Sequence, residues 1–461
     1  MNDLLANLVV VYHISLMRAG RGVRLGWGAV ERASFGVQRR GMLTERFFYG
    51  QRWMPVMVGS QSLSQFPVWR GERRFALLQE DAHPAEDQYK RGMELYESSK
   101  DTPESLKKAL HCFQAAGDQK HPGALFQLGC MYDQGEVLQK DEERAIEHYH
   151  FAADLGHPDA QYQVGLFYLG LQGEDHKLLA FESMLKAARQ GHLEAQYHTG
   201  ILYDDGEGVP KDSDQSHTWI RKAAHRGHVE AQAYLANMYF CGIGTERDID
   251  EAMKWFRKAA EEGHAEAQHS MATALQQGQP LETDENAALE WYSKAAEQGL
   301  AKSQYELALF HYKGLAGLEP STEKAHHWCK LAAEQGYSEA QFTLGMLHAT
   351  GDGTEVDMAV AIPWLLRAAE QDMADAQFNL GIIYDTGSGV EANAVEAASW
   401  YRKAAELYHP QAQCNLGVMY FSGTGVEKDP KEAIKWYEQA AAEDFAEAMY
   451  NLGCEIGRAH V

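Results

Sequence analysis

Histidine and cysteine are the residues most able to do chemistry here, as metal ligands or as activated nucleophiles. The chain holds twenty-one of the first and six of the second. His148 with His150, and His326 beside His327, miss the i, i+4 spacing that sets two imidazoles on one helix face. His157, His192, His228, His264 and His409 recur at one place in a turn, which marks them as structural. The thiols are Cys112, Cys130, Cys241, Cys329, Cys414 and Cys454; none forms a C-x-x-C pair and they occupy different places. Neither a zinc site nor a disulfide framework follows, and isolated packing thiols in a reducing compartment are expected. Asp204-Asp205-Gly206-Glu207-Gly208 faintly suggests a calcium loop but lacks its alternating acids and closing Glu. The Gly-x-Gly pairs follow helical text rather than strands, so they are not dinucleotide fingerprints. No G-x-S-x-G elbow or P-loop is present. We expect no enzyme, no cofactor and no metal.

The elements that carry these residues repeat. Trp219, Trp255, Trp291, Trp328, Trp364, Trp400 and Trp436 are spaced by 36, 36, 37, 36, 36 and 36 residues. Ahead of each lies text of helical period, and behind each a second helical stretch begins. Ala252, Trp255, Phe256, Ala259 and Ala260 form one apolar stripe at i, i+3, i+4, i+7 and i+8, and Gly263 ends it. Ala374 to Tyr384 shows the same period in a first helix, and Gly206-Glu207-Gly208 or Gly423-Thr424-Gly425 supplies the turn between helices. The eighth position of every first helix is small: Gly129, Gly165, Gly200, Ala236, Ala272, Ala308, Gly345, Gly381, Gly417 and Gly453. Small residues facing large ones, the Trp among them, let helices interlock. One pair cannot bury its own stripe, so the copies must stack. The spacing predicts units at 84–121 (divergent), 122–157, 158–192, 193–228, 229–264, 265–300, 301–337, 338–373, 374–409 and 410–445, and an incomplete eleventh from Ala446. The fold class is an all-α solenoid of stacked helix–turn–helix repeats, about ten units of 36 residues.

The pattern Ala-Glu-Ala-Gln-Tyr, a Gly-x-Gly-Val turn, then Ala-x-x-Trp-Tyr-x-Lys-Ala-Ala-Glu-x-Gly resembles the Sel-one-like repeat (SLR) family, relatives of the tetratricopeptide repeats. Glu194 to Gly208 and Gln411 to Ala441 follow it nearly letter for letter, and the likeness covers 122–454 strongly and 84–121 weakly. The resemblance implies a right-handed superhelix whose concave groove presents a partner protein or peptide. It also implies an adaptor or scaffold, with an exported envelope or polysaccharide-assembly scaffold as the alternative. A cysteine-rich branch is described as weakly β-lactam-hydrolysing, which leaves a weak hydrolase as a further alternative; the paired cysteines of that branch are missing here.

Positions 5, 9 and 12 of the first helices lie on one stripe, which faces the groove in related solenoids. The candidate contact residues are Tyr197, Ile201, Asp204, Asn237, Phe240, Thr273, Gln276, Leu309, Tyr312, Met346, Ile382, Asp385, Val418 and Phe421. Position 12 changes from copy to copy, which suits an irregular partner, and Phe240, Tyr312 and Phe421 would be apolar anchors. Packing between repeats is the competing reading of the same residues.

Charge narrows the partner. The net charge is −24, but residues 1–80 carry eleven Arg, no Lys and five acids, or +6, which leaves −30 on the rest. A body so acidic repels phosphate and favours a basic or neutral protein over nucleic acid. No apolar run reaches the roughly 18 residues a membrane span requires. Leu4 to Met17 is too short, contains His13 and lacks the preceding positive charge of an export signal. A cytoplasmic location is expected, with a periplasmic or secreted one as alternative.

Both ends differ in style. Residues 1–83 are expected to be irregular, and three origins stand open for them: a misplaced start, an Arg-rich targeting segment, or a basic arm that docks on the acidic body. Residues 455–461 break the repeat. The codons GAG ATC GGA AGA GCA CAC GTC would encode them and contain a common short-read sequencing adapter, so read-through with further repeats beyond is the expectation.

Overall fold

Wherever the text has a 3.6-residue period the chain is helical. The computed structural model describes residues 85–98, 103–135 and 137–459, with side chains to 453, and among these there are twenty-one α-helices and no strand. The expectations for residues 1–83 and for the final two residues lie outside the described residues; the last helix runs on through Ala459.

The described residues fall into two compact units, 85–259 and 260–459. The first contains α1 (Ala85–Ser98), α2 (Pro103–Asp118), α3 (Pro122–Gln134), α4 (Glu142–Asp154), α5 (Pro158–Leu169), α6 (Glu174–Arg189), α7 (Leu193–Asp205), α8 (Ser213–His225) and α9 (Val229–Cys241), with α10 (Ile249–Glu261) at its boundary. The second contains α11 (Ala265–Gln277), α12 (Glu285–Glu297), α13 (Ala301–Lys313), α14 (Thr322–Glu334), α15 (Ser338–Thr350), α16 (Met358–Ala369), α17 (Ala374–Thr386), α18 (Ala394–Glu406), α19 (Pro410–Ser422), α20 (Pro430–Ala442) and α21 (Ala446–Ala459). Within each unit an odd-numbered helix packs most closely on the even-numbered helix after it, then that helix on the next odd one. Consecutive helix pairs stacked in this way are an all-α solenoid.

Local chemistry explains the punctuation. Asp141, Asp212, Asp248, Asp284, Asp357 and Asp429 each accept a backbone N–H in the first turn of an even-numbered helix, as Asn393 and Ser321 also do. Most odd-numbered helices stop at a left-handed glycine, for example Gly206 at φ 74°, whereas α5 ends at Gly170 with φ −74°. The second glycine of a Gly-x-Gly turn answers a different demand. A Cβ on Gly425 would lie 2.1 Å from the Ala394 carbonyl oxygen, and one on Gly208 2.1 Å from that of Lys177, so the turn rides directly on the start of the preceding even-numbered helix.

The small eighth position is filled from within its own pair. A Cβ on Gly129, Gly200, Gly381 or Gly417 would collide with Tyr149, Ile220, Tyr401 or Tyr437 at 2.5–2.7 Å. Gly92 takes Phe113 in the same way, so 85–121 is built like the other units despite its divergent text. The inserted side chain is the one after the tryptophan, not the tryptophan itself. The Trp ring lies to the side, where Lys222, Lys294 and Lys403 place their ammonium groups 3.9, 4.3 and 3.8 Å from the centroids of Trp219, Trp291 and Trp400.

A ladder of buried glutamines ties one pair to the next. Gln196, Gln304, Gln341 and Gln377 donate their side-chain N–H to the carbonyls of Ala188, Ala296, Ala333 and Ala369 at 3.0–3.2 Å. Their Oε1 atoms wait for a donor at the end of the even-numbered helix of the same pair. Gln335 supplies it to Gln304 and Gln371 to Gln341, both at 2.8 Å. Where Leu407 and Glu443 stand at that place, Oε1 of Gln377 and of Gln413 finds no donor among the described residues.

Candidate protein-binding face

The turn histidines build the joint between one helix pair and the next. His121, His157, His192, His228 and His409 are N-caps whose Nδ1 accepts the N–H of Ala124, Ala160, Ala195, Ala231 and Ala412. Their Nε2–H is thereby left to face the preceding pair, meeting Glu86, Asp159, Glu194 and Asp375 for His121, His192, His228 and His409 at 2.9, 3.2, 2.9 and 3.3 Å. Each ring also lies on the fifth residue of the preceding odd-numbered helix. Tyr89, Phe126, Tyr162, Tyr197 and Phe378 hold these rings at centroid distances of 4.4–4.7 Å. Position 5, Tyr197 included, is therefore roofed by the next repeat and belongs to its packing.

Position 12 is mixed. Asp204 is buried, accepts the Tyr234 hydroxyl and pairs with Lys211 Nζ at 3.5 Å, so the supposed calcium loop spends its first acid internally. Gln276 and Thr273 share the Tyr292 hydroxyl, at 2.8 and 3.0 Å. Tyr312 donates to Asp352. Phe240 is buried beneath the Arg247 guanidinium, 5.6 Å from its ring centroid, while half-buried Phe421 has Lys428 Nζ at 5.7 Å. Asp385 is exposed, and partial burial still raises its carboxyl pKa above the ordinary value.

Position 9 stays partly open: Ile201, Asn237, Thr273, Leu309 and Ile382 are half-buried, Met346 is buried and Val418 is 45% exposed. Asn237 donates to the Ala233 carbonyl of its own helix at 3.1 Å. At 100° per residue, positions 2, 9 and 13 fall within about 40° of one another, and the second and thirteenth residues are the more exposed. Glu194, Ile201 and Asp205, or Asp375, Ile382 and Thr386, trace this line. The stripe of positions 5, 9 and 12 is thus rotated from the more exposed line of positions 2, 9 and 13. The helical wheel alone could have suggested this line, since position 13 lies one turn beyond position 9.

Chemical groups elsewhere are quiet. Burial raises the thiol pKa of Cys130 to about 11 and those of Cys329 and Cys414 to about 12, far from a reactive thiolate. His326 and His348 bring their Nε2 atoms within 3.2 Å of one another, but no group of three or more metal-ligating side chains occurs among the described residues.

With this geometry in hand, likeness to known proteins is informative. The profile described as the Sel1 repeat matches eleven consecutive segments: 85–121, 122–157, 158–192, 193–228, 229–264, 265–300, 301–337, 338–373, 374–409, 410–445 and 446–460. The crystal structure of c5321, described as a protective antigen present in uropathogenic Escherichia coli strains and displaying an SLR fold, is similar at 32% identity. That likeness covers 81% of this chain and 80% of c5321, with a TM-score of 0.72. A Sel1 repeat protein from Oxalobacter formigenes is 33% identical over 67% of this chain and 89% of its own, with a TM-score of 0.52. No curated protein matches.

Proposed function

Since the chain belongs to the Sel1 repeat family, whose helical repeats mediate protein interactions, we propose that it is a non-enzymatic adaptor that holds a partner protein along the open line of its odd-numbered helices. The observation that carries this reading is the contrast between fixed and variable positions. The eighth position is Gly or Ala in every copy, and most copies keep a capping residue and the buried Gln, with Leu300, Tyr337, Met373 and Gly173 the exceptions among the caps. Position 9 runs through Ile201, Asn237, Thr273, Leu309, Met346, Ile382 and Val418, and position 13 through Asp205, Cys241, Gln277, Lys313, Thr350, Thr386 and Ser422. Constancy where repeats join and variety where the surface opens is what recognition of an irregular partner needs.

Acids at position 2, namely Asp159, Glu194, Glu230 and Asp375, border the line and favour a basic or neutral segment. The −30 charge of residues 81–461 disfavours nucleic acid, and among the described residues no helix is long and apolar enough to cross a membrane. A photo-crosslinking amino acid at Ile382 tests the reading in cells of the source. It should capture a partner that the same group at Glu438, an exposed residue of α20, does not. Equal capture at the two sites, or turnover of a substrate by the purified chain, would overturn it.

A second reading, an exported envelope scaffold, draws support from the description of c5321 as a protective antigen. Fractionation of cells expressing the native gene distinguishes it from the cytoplasmic adaptor.

A further inference from the structure

His326 is the fifth residue of α14 and His348 the eleventh of α15, so the two belong to successive helix pairs. Their Nε2 atoms stand 3.2 Å apart, the ring planes differ by 80°, and both side chains are half-buried. In sister repeats the same contact is ordinary packing. His217 lies edge to face with Tyr239 at a centroid distance of 5.4 Å, and Ile362 shares an apolar cluster with Tyr384. Here both residues are imidazoles and they meet tip to tip. The pair is hidden in the text because its members lie 22 residues apart on different helices, unlike an i, i+4 pair on one helix.

We infer that His326 and His348 form a zinc(II) site that clips the unit 301–337 to the unit 338–373, with water completing the coordination. The inference goes beyond the protein-binding reading and does not depend on it. Distance selects the metal. Zinc holds imidazole nitrogens at about 2.0–2.1 Å in a tetrahedron, which sets two ligand atoms about 3.3 Å apart. Square-planar and octahedral ions place neighbouring ligands at right angles, which at similar bond lengths brings them to about 2.9 Å. The 3.2 Å between the two Nε2 atoms matches the tetrahedral edge. A lone pair is also available. In the turn histidines Nδ1 accepts a backbone N–H, which leaves the proton on Nε2 and removes that atom as a ligand. Nδ1 of His348 accepts no N–H among the described residues, so its Nε2 can be the unprotonated nitrogen. Half-burial keeps the pair open to an ion from solvent, and the −30 charge of residues 81–461 draws cations to the surface. No group of three or more metal-ligating side chains occurs among the described residues, so two positions fall to water and the ion is held less tightly than in a closed structural site. Without the ion, two neutral rings can share a single Nε2–H, and the experiment separates that arrangement from a metal site.

The test titrates the full chain, freed of metal with EDTA, with cobalt(II), whose tetrahedral complexes absorb visible light far more strongly than its octahedral ones. An equimolar amount should raise the tetrahedral band, and zinc should then abolish it by displacement. His326→Ile and His348→Tyr install residues that a sister repeat already carries at those places, Ile362 and Tyr384, and either should remove the band. His327→Ala, at the exposed neighbour, should keep it. Zinc should also raise the Tm of the unsubstituted chain, because the ion binds where two helix pairs are stacked, and should leave both variants where they were. Helical circular dichroism checks each variant, and a glutamine at the same position replaces one that does not fold. A cobalt spectrum without the tetrahedral band, a band that survives either substitution, or a zinc-dependent rise in Tm shared by the variants overturns the inference.

Discussion

His228 Nε2 lies 2.9 Å from the Glu194 carboxylate of the preceding helix pair, while Nδ1 of the same ring accepts the Ala231 N–H at 3.2 Å. One side chain thus caps its own helix and fastens that helix to its neighbour, and its partners assign the tautomer as Nε2–H. The arrangement explains why a histidine, rather than the commoner Ser or Asp, caps six of the odd-numbered helices. Only a ring with two nitrogens on opposite edges can serve both sides of the joint.

Replacing His228 with Ala should cost about 1–2 kcal/mol, a lost cap plus a lost joint. His228→Asn keeps a capping oxygen but cannot reach Glu194, so its cost should be smaller. Urea unfolding midpoints of the three proteins rank them; equal midpoints for the Ala and Asn variants would show the cap to be idle.

Stability should fall at both ends of the pH scale for separable reasons. Burial, ahead of the opposing pull of Asp159, lowers the pKa of His157 and His192, and burial places His269 well below the ordinary range. The unfolded chain then binds more protons than the native one, so stability is complete above about pH 6.5 and is lost as pH falls through the lowered native values. Glu306 has the opposite sign. Burial, with Lys313 opposing and Glu339 assisting, raises its pKa to about 7, so its penalty appears as pH rises from about 4.5 through 7. Glu306→Gln should therefore stabilise the protein at pH 8, by on the order of 2 kcal/mol, and change little at pH 4.5. Thermal unfolding at the two pH values checks both magnitude and sign.

The broken rungs of the glutamine ladder can be mended. Leu407→Gln places a donor where Gln335 and Gln371 stand in earlier pairs and should satisfy Gln377 Oε1. A gain of about 1 kcal/mol is expected. The reverse change, Gln371→Leu, should lose a similar amount by orphaning Gln341. Denaturant titrations of the two variants should move in opposite directions.

Glycines with the same backbone sign should respond differently to alanine. Gly299 has φ 91° and open space around it, so Gly299→Ala should cost only the left-handed penalty of about 1–2 kcal/mol. Lys120 and Tyr408 already occupy such a conformation at the matching turn in other copies. Gly425→Ala adds a collision with the Ala394 carbonyl and should cost more, since backbone cannot step aside as a flexible side chain can. A smaller midpoint loss for Gly425→Ala than for Gly299→Ala would contradict the close approach of turn and helix.

Helix existence, repeat length, helix ends and the small-residue notches were all legible in the residues. Each is a local property: a 3.6-residue period, a glycine that reaches positive φ cheaply, a Gly or Ala every 35 to 37 residues. The turn histidines were legible as structural, but their double role was not, because Glu194 is remote in sequence from His228. What tertiary structure alone decided was orientation. Neighbouring positions on a helix differ by tens of degrees, and only the crossing of one pair over the next determines which of them is roofed and which is open. That crossing sent Tyr401 rather than Trp400 into the Gly381 notch, covered Tyr197 with His228, turned Asp204 inward and left Asp205 outside.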